Sequence, residues 1–208
     1  MTKTVILIDG ENISTRYSEM VKAGYIPRED NISHGDYFVW NPAVLAENMW
    51  DILRISYHTS MAGDDVKIDE AKRSIASVNY KCRAEVKGLY DNKQLFRSSS
   101  GRIVPQVRKR ASKSRKESIC DIAITVEALR ACYRDHASKI WILSGDGDFI
   151  SLYQEIMHGG KEVVVAALSS GLNSSVPVVV DHFIDLDPYL FQAGPNNSFK
   201  PTPLRGAA

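Results

Sequence analysis

The chain has 208 residues, 44% apolar and 25% charged, with a formal net charge of +1. These are globular proportions with enough length for a sizeable core, and they exclude a polycation, so any nucleic-acid binding must come from local charge. Three cysteines, Cys82, Cys120 and Cys132, exclude a fully paired disulfide framework, and without a CxxC or Cys/His cluster they fit reduced thiols of a cytoplasmic protein rather than a zinc site.

No apolar stretch approaches the roughly 20 residues of a membrane span. The N-terminal apolar run is too short for a signal peptide, and an acid follows it at once. Thr4–Ile8 (TVILI) has the pattern of a strand buried on both faces. It ends in Asp9-Gly10-Glu11-Asn12, and a helix is expected over Ile13–Ala23, stopped at Gly24. Residues 25–40, with Pro27, Gly35 and several aromatics, read as an insertion or long functional loop. Asn41-Pro42 starts a helix through about Trp50, with Pro42 at its first position. Ile52–His58 is a second strand, Asp65–Val78 a helix, and Ala84–Tyr90 a third strand with a weak point at Gly88. A β-hairpin is expected in Gln94–Val107, turning at Ser98-Ser99-Ser100-Gly101.

Ile119–Tyr133 is the best helix, with Ile119, Ile122, Ala123, Val126 and Leu129 at the intervals of an apolar stripe. Lys139–Leu143 (KIWIL) is another buried strand, ending in Ser144-Gly145-Asp146-Gly147-Asp148-Phe149. A helix follows to about His158, closed by Gly159-Gly160; then come a strand over Lys161–Leu168 and a short one over Phe183–Leu186. Strands alternating with helices imply an α/β fold with a largely parallel sheet. The expected organisation is one domain over residues 1–190 and a flexible tail over 191–208, rich in Pro, Gly, Asn and Ser.

Two buried strands each end in acid, one at Asp9 and one at Asp146 and Asp148. In open parallel sheets ligands bind in the crevice beyond the strand C-termini, and right-handed crossovers can set these strands side by side. Converging carboxylates need a proton or a cation, and a hard divalent ion such as Mg²⁺ or Mn²⁺ suits oxygen ligands. A single Asp in such a loop is ordinarily a helix cap; two acidic loops after two buried strands make a functional cluster the better reading. Asp121 is either a fourth ligand or a favourable anion at a helix start. Glu127 is six positions on, about a third of a turn away, and off Asp121's face. Glu117 would share that side if the helix began earlier. Asn12 can hold a ligand or cap its helix.

No acid occurs between Asp91 and Glu117, and the segment carries Lys93, Arg97, Arg102, Arg108, Lys109, Arg110, Lys113, Arg115 and Lys116. Such a run is usually a solvated loop. Here it leads into the Asp121 helix, where it can guide a phosphate backbone toward the acids. Tyr37, Phe38, Trp40, Tyr90 and Phe96 are either base-stacking platforms or core.

Val5-Ile6-Leu7-Ile8-Asp9-Gly10-Glu11-Asn12, Cys120-Asp121-Ile122-Ala123 and Ile142-Leu143-Ser144-Gly145-Asp146-Gly147-Asp148-Phe149 together resemble the NYN domain of the PIN-like nuclease superfamily, with the LabA-like bacterial branch most similar. The resemblance continues through Gly160–Val165 and Asp181–Leu186 and spans roughly Lys3 to Asp187. It implies a Rossmann-like three-layer α/β/α sandwich and Mg²⁺- or Mn²⁺-dependent cleavage of RNA. Asp9, Asp121, Asp146 and Asp148 then match the metal-binding catalytic acids, with Asp121 the candidate to take a proton. Asn12 and Ser144 match supporting polar positions, and Glu127 stands where the family usually has Asp. The lead into the helix, Lys116-Glu117-Ser118-Ile119-Cys120-Asp121, departs from the family's Lys-Gly-Val-Asp type. Arg108, Lys109, Arg110, Lys113, Arg115 and Lys116 are the expected nucleic-acid contacts. RNA is the expected partner, no membrane is involved, and a homodimer is left open.

Two rival readings stand beside this one. A haloacid-dehalogenase-like phosphatase also places Asp after its first strand, but wants a second Asp where Glu11 is. A non-catalytic RNA-binding protein could keep the fold and the metal. An EF-hand reading of GDGDF fails, because the sixth and twelfth positions from Asp146 are Ser151 and Met157.

Overall fold

The computed structural model describes residues 3–45, 51–87, 94–110, 119–134 and 137–193, with backbone alone over 83–87 and 94–99. The TVILI run lies within β1 (Lys3–Asp9), where every residue after Lys3 is buried. Helix α1 (Gly10–Lys22) starts directly at its end, capped by the Asp9 side chain, and the chain leaves it through Gly24 at φ 94°. The expected loop contains a small antiparallel hairpin, β2 (Ile32–His34) and β3 (Phe38–Trp40). Phe38 and Trp40 are buried in the core, which removes them as platforms for bases.

The helix expected from Asn41 is a single 3₁₀ turn over Pro42–Leu45; residues 46–50 lie outside the described residues. Asn41 explains the turn. Its Oδ1 accepts from Ala43 N at 2.7 Å, and its amide donates to Asp30 and Asn31, fixing it against the preceding loop.

Strand β4 (Asp51–Met61) runs three residues beyond His58 and is followed by α2 (Asp65–Ala76), which Asp64 caps. Strand β5 (Asn79–Lys87) begins five residues before the expected Ala84, and Gly88 to Tyr90 lie outside the described residues. The expected hairpin over Gln94–Val107 is corrected: the segment is one long strand, β6 (Gln94–Lys109). Its first half pairs antiparallel with β5 and its second half parallel with β4. Gly101 sits inside this strand because the Tyr80 ring packs over it; a Cβ there would lie 2.7 Å from Tyr80 Oη. The glycine is a close-approach residue rather than a turn.

Helix α3 (Ile119–Tyr133), β7 (Lys139–Leu143), α4 (Ile150–His158), β8 (Glu162–Ala167), α5 (Val176–Val179), β9 (His182–Asp185) and α6 (Asp187–Leu190) follow; of the expected tail, Phe191 is buried and bridged to Pro27, and residues 194–208 lie outside the described residues. The seven-stranded sheet has the order β5-β6-β4-β1-β7-β8-β9, and every neighbouring pair except β5–β6 is parallel. Two apolar layers sandwich it. Ile6, Ile8, Ile55, Tyr57 and Trp141 pack with α1, α2 and the hairpin; Val5, Leu7, Ile140, Ile142 and Val165 pack with α3 and α4. This is the expected three-layer α/β arrangement, and both faces of β1 are covered by alternate residues of one run.

One expectation about α3 is reversed. Ile119, Ile122 and Val126 are exposed, and the helix buries Cys120, Ile124, Ala128, Ala131 and Cys132 instead. Small side chains let α3 approach the sheet closely, and the helix is apolar nearly all round, so periodicity did not single out the inner face. All three cysteines are buried and free. Among the described residues, no helix is long and apolar enough to cross a membrane.

Candidate active site

The strand order reverses at β1: β4 lies on one side of it, and β7, followed by β8 and β9, on the other. A crevice beyond the strand C-termini forms at such a point. Here it is a cleft of about 390 Å³, lined by the carboxylates Asp9, Glu11, Asp36, Asp121 and Asp146 and by the bases Arg16, Lys67 and Arg110.

Asp9 is its anchor. It ends β1, is 3% exposed, and spends both carboxylate oxygens on fixed partners. Oδ1 accepts from the Asn12 amide at 3.1 Å, and Oδ2 accepts from Ser144 Oγ at 2.9 Å. Ser144 Oγ in turn accepts from the Asp146 amide at 3.2 Å, and Asn12 Oδ1 accepts from the Gly145 amide at 3.2 Å. The two acidic loops are thereby stitched together through the polar residues that separate their acids.

Burial pushes the Asp9 carboxyl up to about 7; the bonds from Asn12 and Ser144 pull it down, while the charges of Asp121 and Glu11 raise it further. Cys120 reports the same field: burial, then Glu11, Asp9 and Asp121, push its thiol up to about 12. The site therefore concentrates negative charge where water cannot screen it fully.

Of the expected acids, Asp9, Asp121 and Asp146 line this cleft, and Asp148 does not. Asp148 is exposed, and its backbone amide donates to Asp146 Oδ1 at 3.0 Å, so what it supplies to the loop is an N–H. Asn12 also lines the cleft, while Ser144 is fully buried behind Asp9. Glu127 is elsewhere, facing β4: its Oε1 accepts from Ser56 Oγ at 2.6 Å, and Arg54 and His58 lie at 3.4 and 3.1 Å. Burial alone would raise its carboxyl, but His58, Ser56 and Arg54 together hold it below the ordinary value.

Of the consecutive bases here, Arg108 and Lys109 point to opposite faces of β6, as strand alternation requires, and Arg110 follows just past the strand's end. Lys109 turns to α2 and pairs with Asp65 at 2.8 Å; Arg110 lines the cleft with Nη1 3.7 Å from Glu11; Arg108 faces the α3 side. Lys113, Arg115, Lys116 and Glu117 lie outside the described residues.

Glu11 is one of the cleft residues, with Asp36, Arg16 and Lys67, that the sequence reading passed over. Its carboxylate is held by Ser60 Oγ and faces Arg110. Its signal was its place in DGEN, directly after a buried strand.

The donor set is all oxygen, which suits a hard cation. Among the described residues, no three His, Cys, Asp or Glu side chains already stand as a group that could hold a metal ion. Mg²⁺ does not require one, since it keeps several waters and takes one or two carboxylates together with substrate phosphates. In kind of donor and in charge, the residues present fit such an ion.

Among curated proteins none matches the chain. A protein of unknown function from Vibrio parahaemolyticus, known from its crystal structure, is similar in fold, with a TM-score of 0.57 at 14% identity over 92% of this chain and 96% of that one. The family model described as NYN domain matches residues 49–187, which takes in Asp121 and the Ser144–Phe149 loop and begins after the Asp9 strand. The strand that the model omits closes the same cleft through Ser144. With two thirds of its length matched and its sheet built as the resemblance implies, the chain belongs to the NYN domain family of PIN-like nuclease domains.

Proposed function

We propose that this protein is a metal-dependent nuclease that hydrolyses phosphodiester bonds of RNA in the cleft at the end of β1. The observation that carries this reading is the convergence of Asp9, Glu11, Asp121 and Asp146, from three separate stretches of chain, on one crevice. Membership of a nuclease-like family supports hydrolysis as the reaction class.

Asp9, Asp121 and Asp146 would hold Mg²⁺ or Mn²⁺. Once bound, such an ion polarises the scissile phosphate and lowers the pKa of a coordinated water. The chain's own part is positioning and proton handling. Ser144 and the Asn12 amide fix the two oxygens of Asp9, so that its carboxylate presents one orientation. Asp121, at the head of α3, takes the proton of the attacking water. Arg110, Lys67 and Arg16 hold the flanking phosphates, being the bases of the cleft.

The test is purified protein with labelled RNA and DNA, in Mn²⁺ or in EDTA, beside Asp146→Asn. RNA cleavage in Mn²⁺ alone, lost in a folded Asp146→Asn, is expected. Undiminished cleavage by the variant sinks the assignment. Tight RNA binding with no turnover over hours would replace it with a non-catalytic RNA-binding reading.

A further inference from the structure

A second cavity, of about 450 Å³, lies beside the cleft on the α3 side of the sheet. Ile119, Ile122, Ala123 and Val126 of α3 form one wall. Arg54 and His58 of β4, Gln106 and Arg108 of β6, and Glu127 and Arg130 of α3 supply its polar lining. The strands dictate this placement. His58 is the register partner of Asp9 on the neighbouring strand, and Gln106 is the register partner of His58 one strand further out. Adjacent strands are about 5 Å apart, so the cavity begins within a strand's width of the acidic anchor. Arg108 pairs in register with Ser60, which lines the cleft itself.

The chemistry of the two walls differs. The α3 wall is apolar and open to solvent, with Ile122 63% and Val126 46% exposed. An exposed apolar strip beside basic residues is unusual on a protein surface with no partner. Opposite it the strands bring Arg54 and Arg108, α3 itself adds Arg130 one turn beyond Val126, and the one carboxylate, Glu127, already serves Ser56, His58 and Arg54. Among the described residues, Arg108 and Arg130 enter no ion pair. His58 is 1% exposed, and its Nδ1 is buried with no hydrogen-bond partner. Buried polar atoms are rarely left so.

An apolar strip with an arginine at its end (Arg130) and another across from it (Arg108) matches a nucleotide, with its flat base on the strip and its anionic phosphate between the two guanidinium groups. The cavity volume is in the range of small-ligand sites. We propose that this slot seats one nucleotide of a single-stranded nucleic acid, with the base against Ile122 and Val126 and the phosphate at Arg108 and Arg130, while the strand continues into the acidic cleft. The inference rests on the nuclease reading for the path of the strand and on the slot's own chemistry for the contact.

The experiment measures fluorescence anisotropy of a labelled single-stranded RNA with the full chain in EDTA, across a salt series. Its variants are the double substitution Arg108→Gln/Arg130→Gln, then Arg130→Lys and Ile122→Ser. All three positions are exposed, and thermal melts establish that each variant folds. The double variant is expected to bind about tenfold more weakly, with a salt slope shallower by about 0.7, the worth of one single-strand phosphate contact. Arg130→Lys keeps most of the affinity because the charge remains. Ile122→Ser weakens binding without changing the slope.

Unchanged affinity and slope in the folded double variant overturn the slot. AMP binding as tightly as the oligonucleotide overturns the continuous strand and makes this a free-nucleotide site. The two readings fail separately. Cleavage by wild type together with unaltered binding by the variants removes only the slot; absence of cleavage together with weakened binding removes only the nuclease.

Discussion

Ser144 donates a hydrogen bond to Asp9 Oδ2 at 2.9 Å, across 135 positions of chain. Both residues are buried; Asp9 ends β1, and Ser144 directly follows the adjacent parallel strand β7. That bond joins the two acidic loops, and it does so while satisfying a carboxylate that burial would otherwise leave isolated. A buried, hydrogen-bonded carboxylate among like charges is poised for a cation rather than for stability.

The first consequence concerns pH. Asp9 titrates near 7 when folded and near 3.8 ordinarily, so the folded protein binds this proton more tightly than the unfolded chain does. In the metal-free protein the stabilisation from this one group, about 4 kcal/mol, is expected to be fully present below about pH 4 and lost as pH rises through 7. Urea denaturation in EDTA between about pH 4.5 and 8 checks it. Asp9→Asn should flatten the profile and abolish stabilisation by Mn²⁺ at the alkaline end. A flat wild-type profile would show that Asp9 is better solvated than its burial implies.

The floor of the site makes a second expectation. Gly10 opens α1 with no room for a side chain: a Cβ would lie 2.2 Å from the Tyr57 ring and 2.8 Å from the His58 carbonyl oxygen. Tyr57 cannot retreat, because it is fully buried and its hydroxyl accepts from the Val39 amide at 3.1 Å. Gly10→Ala should therefore destabilise the protein by about 2–3 kcal/mol despite alanine's better helix propensity. Chemical denaturation measures it, and a neutral or stabilising result would mean that β4 yields easily.

The third separates neighbours in the basic run. Lys109 turns away from the cleft to Asp65 of α2, and Arg110 lines the cleft. Arg110→Gln is expected to weaken RNA binding and lower the salt slope by about 0.7, whereas Lys109→Gln leaves both unchanged. Anisotropy titrations in EDTA decide this. Equal effects from the two substitutions would mean that the strand crosses the α2 side as well.

Much was legible before folding. TVILI and KIWIL declare buried parallel strands, because only a strand covered on both faces is apolar without alternation. The acids that follow each of them stand where ligands bind in such sheets, and right-handed crossovers allow the two strands to be neighbours, but only the folded sheet sets β1 beside β7. Glycines were harder to read. Gly101 looked like the apex of a hairpin, yet it lies within a strand because the Tyr80 ring covers it, a contact with no trace in local composition.

The sequence by itself therefore determined the alternation of strands and helices and the acidic chemistry at the strand ends, since these depend on residue type and short-range period. Tertiary structure alone decided which charges share a site. It brought Glu11 into the cleft, turned Asp148 outward, sent Glu127 to His58, and split Arg108, Lys109 and Arg110 among three environments. It also turned the Ile119, Ile122 and Val126 stripe outward. Spacing along one helix says which residues share a face, but only the packed sheet says which face is inside.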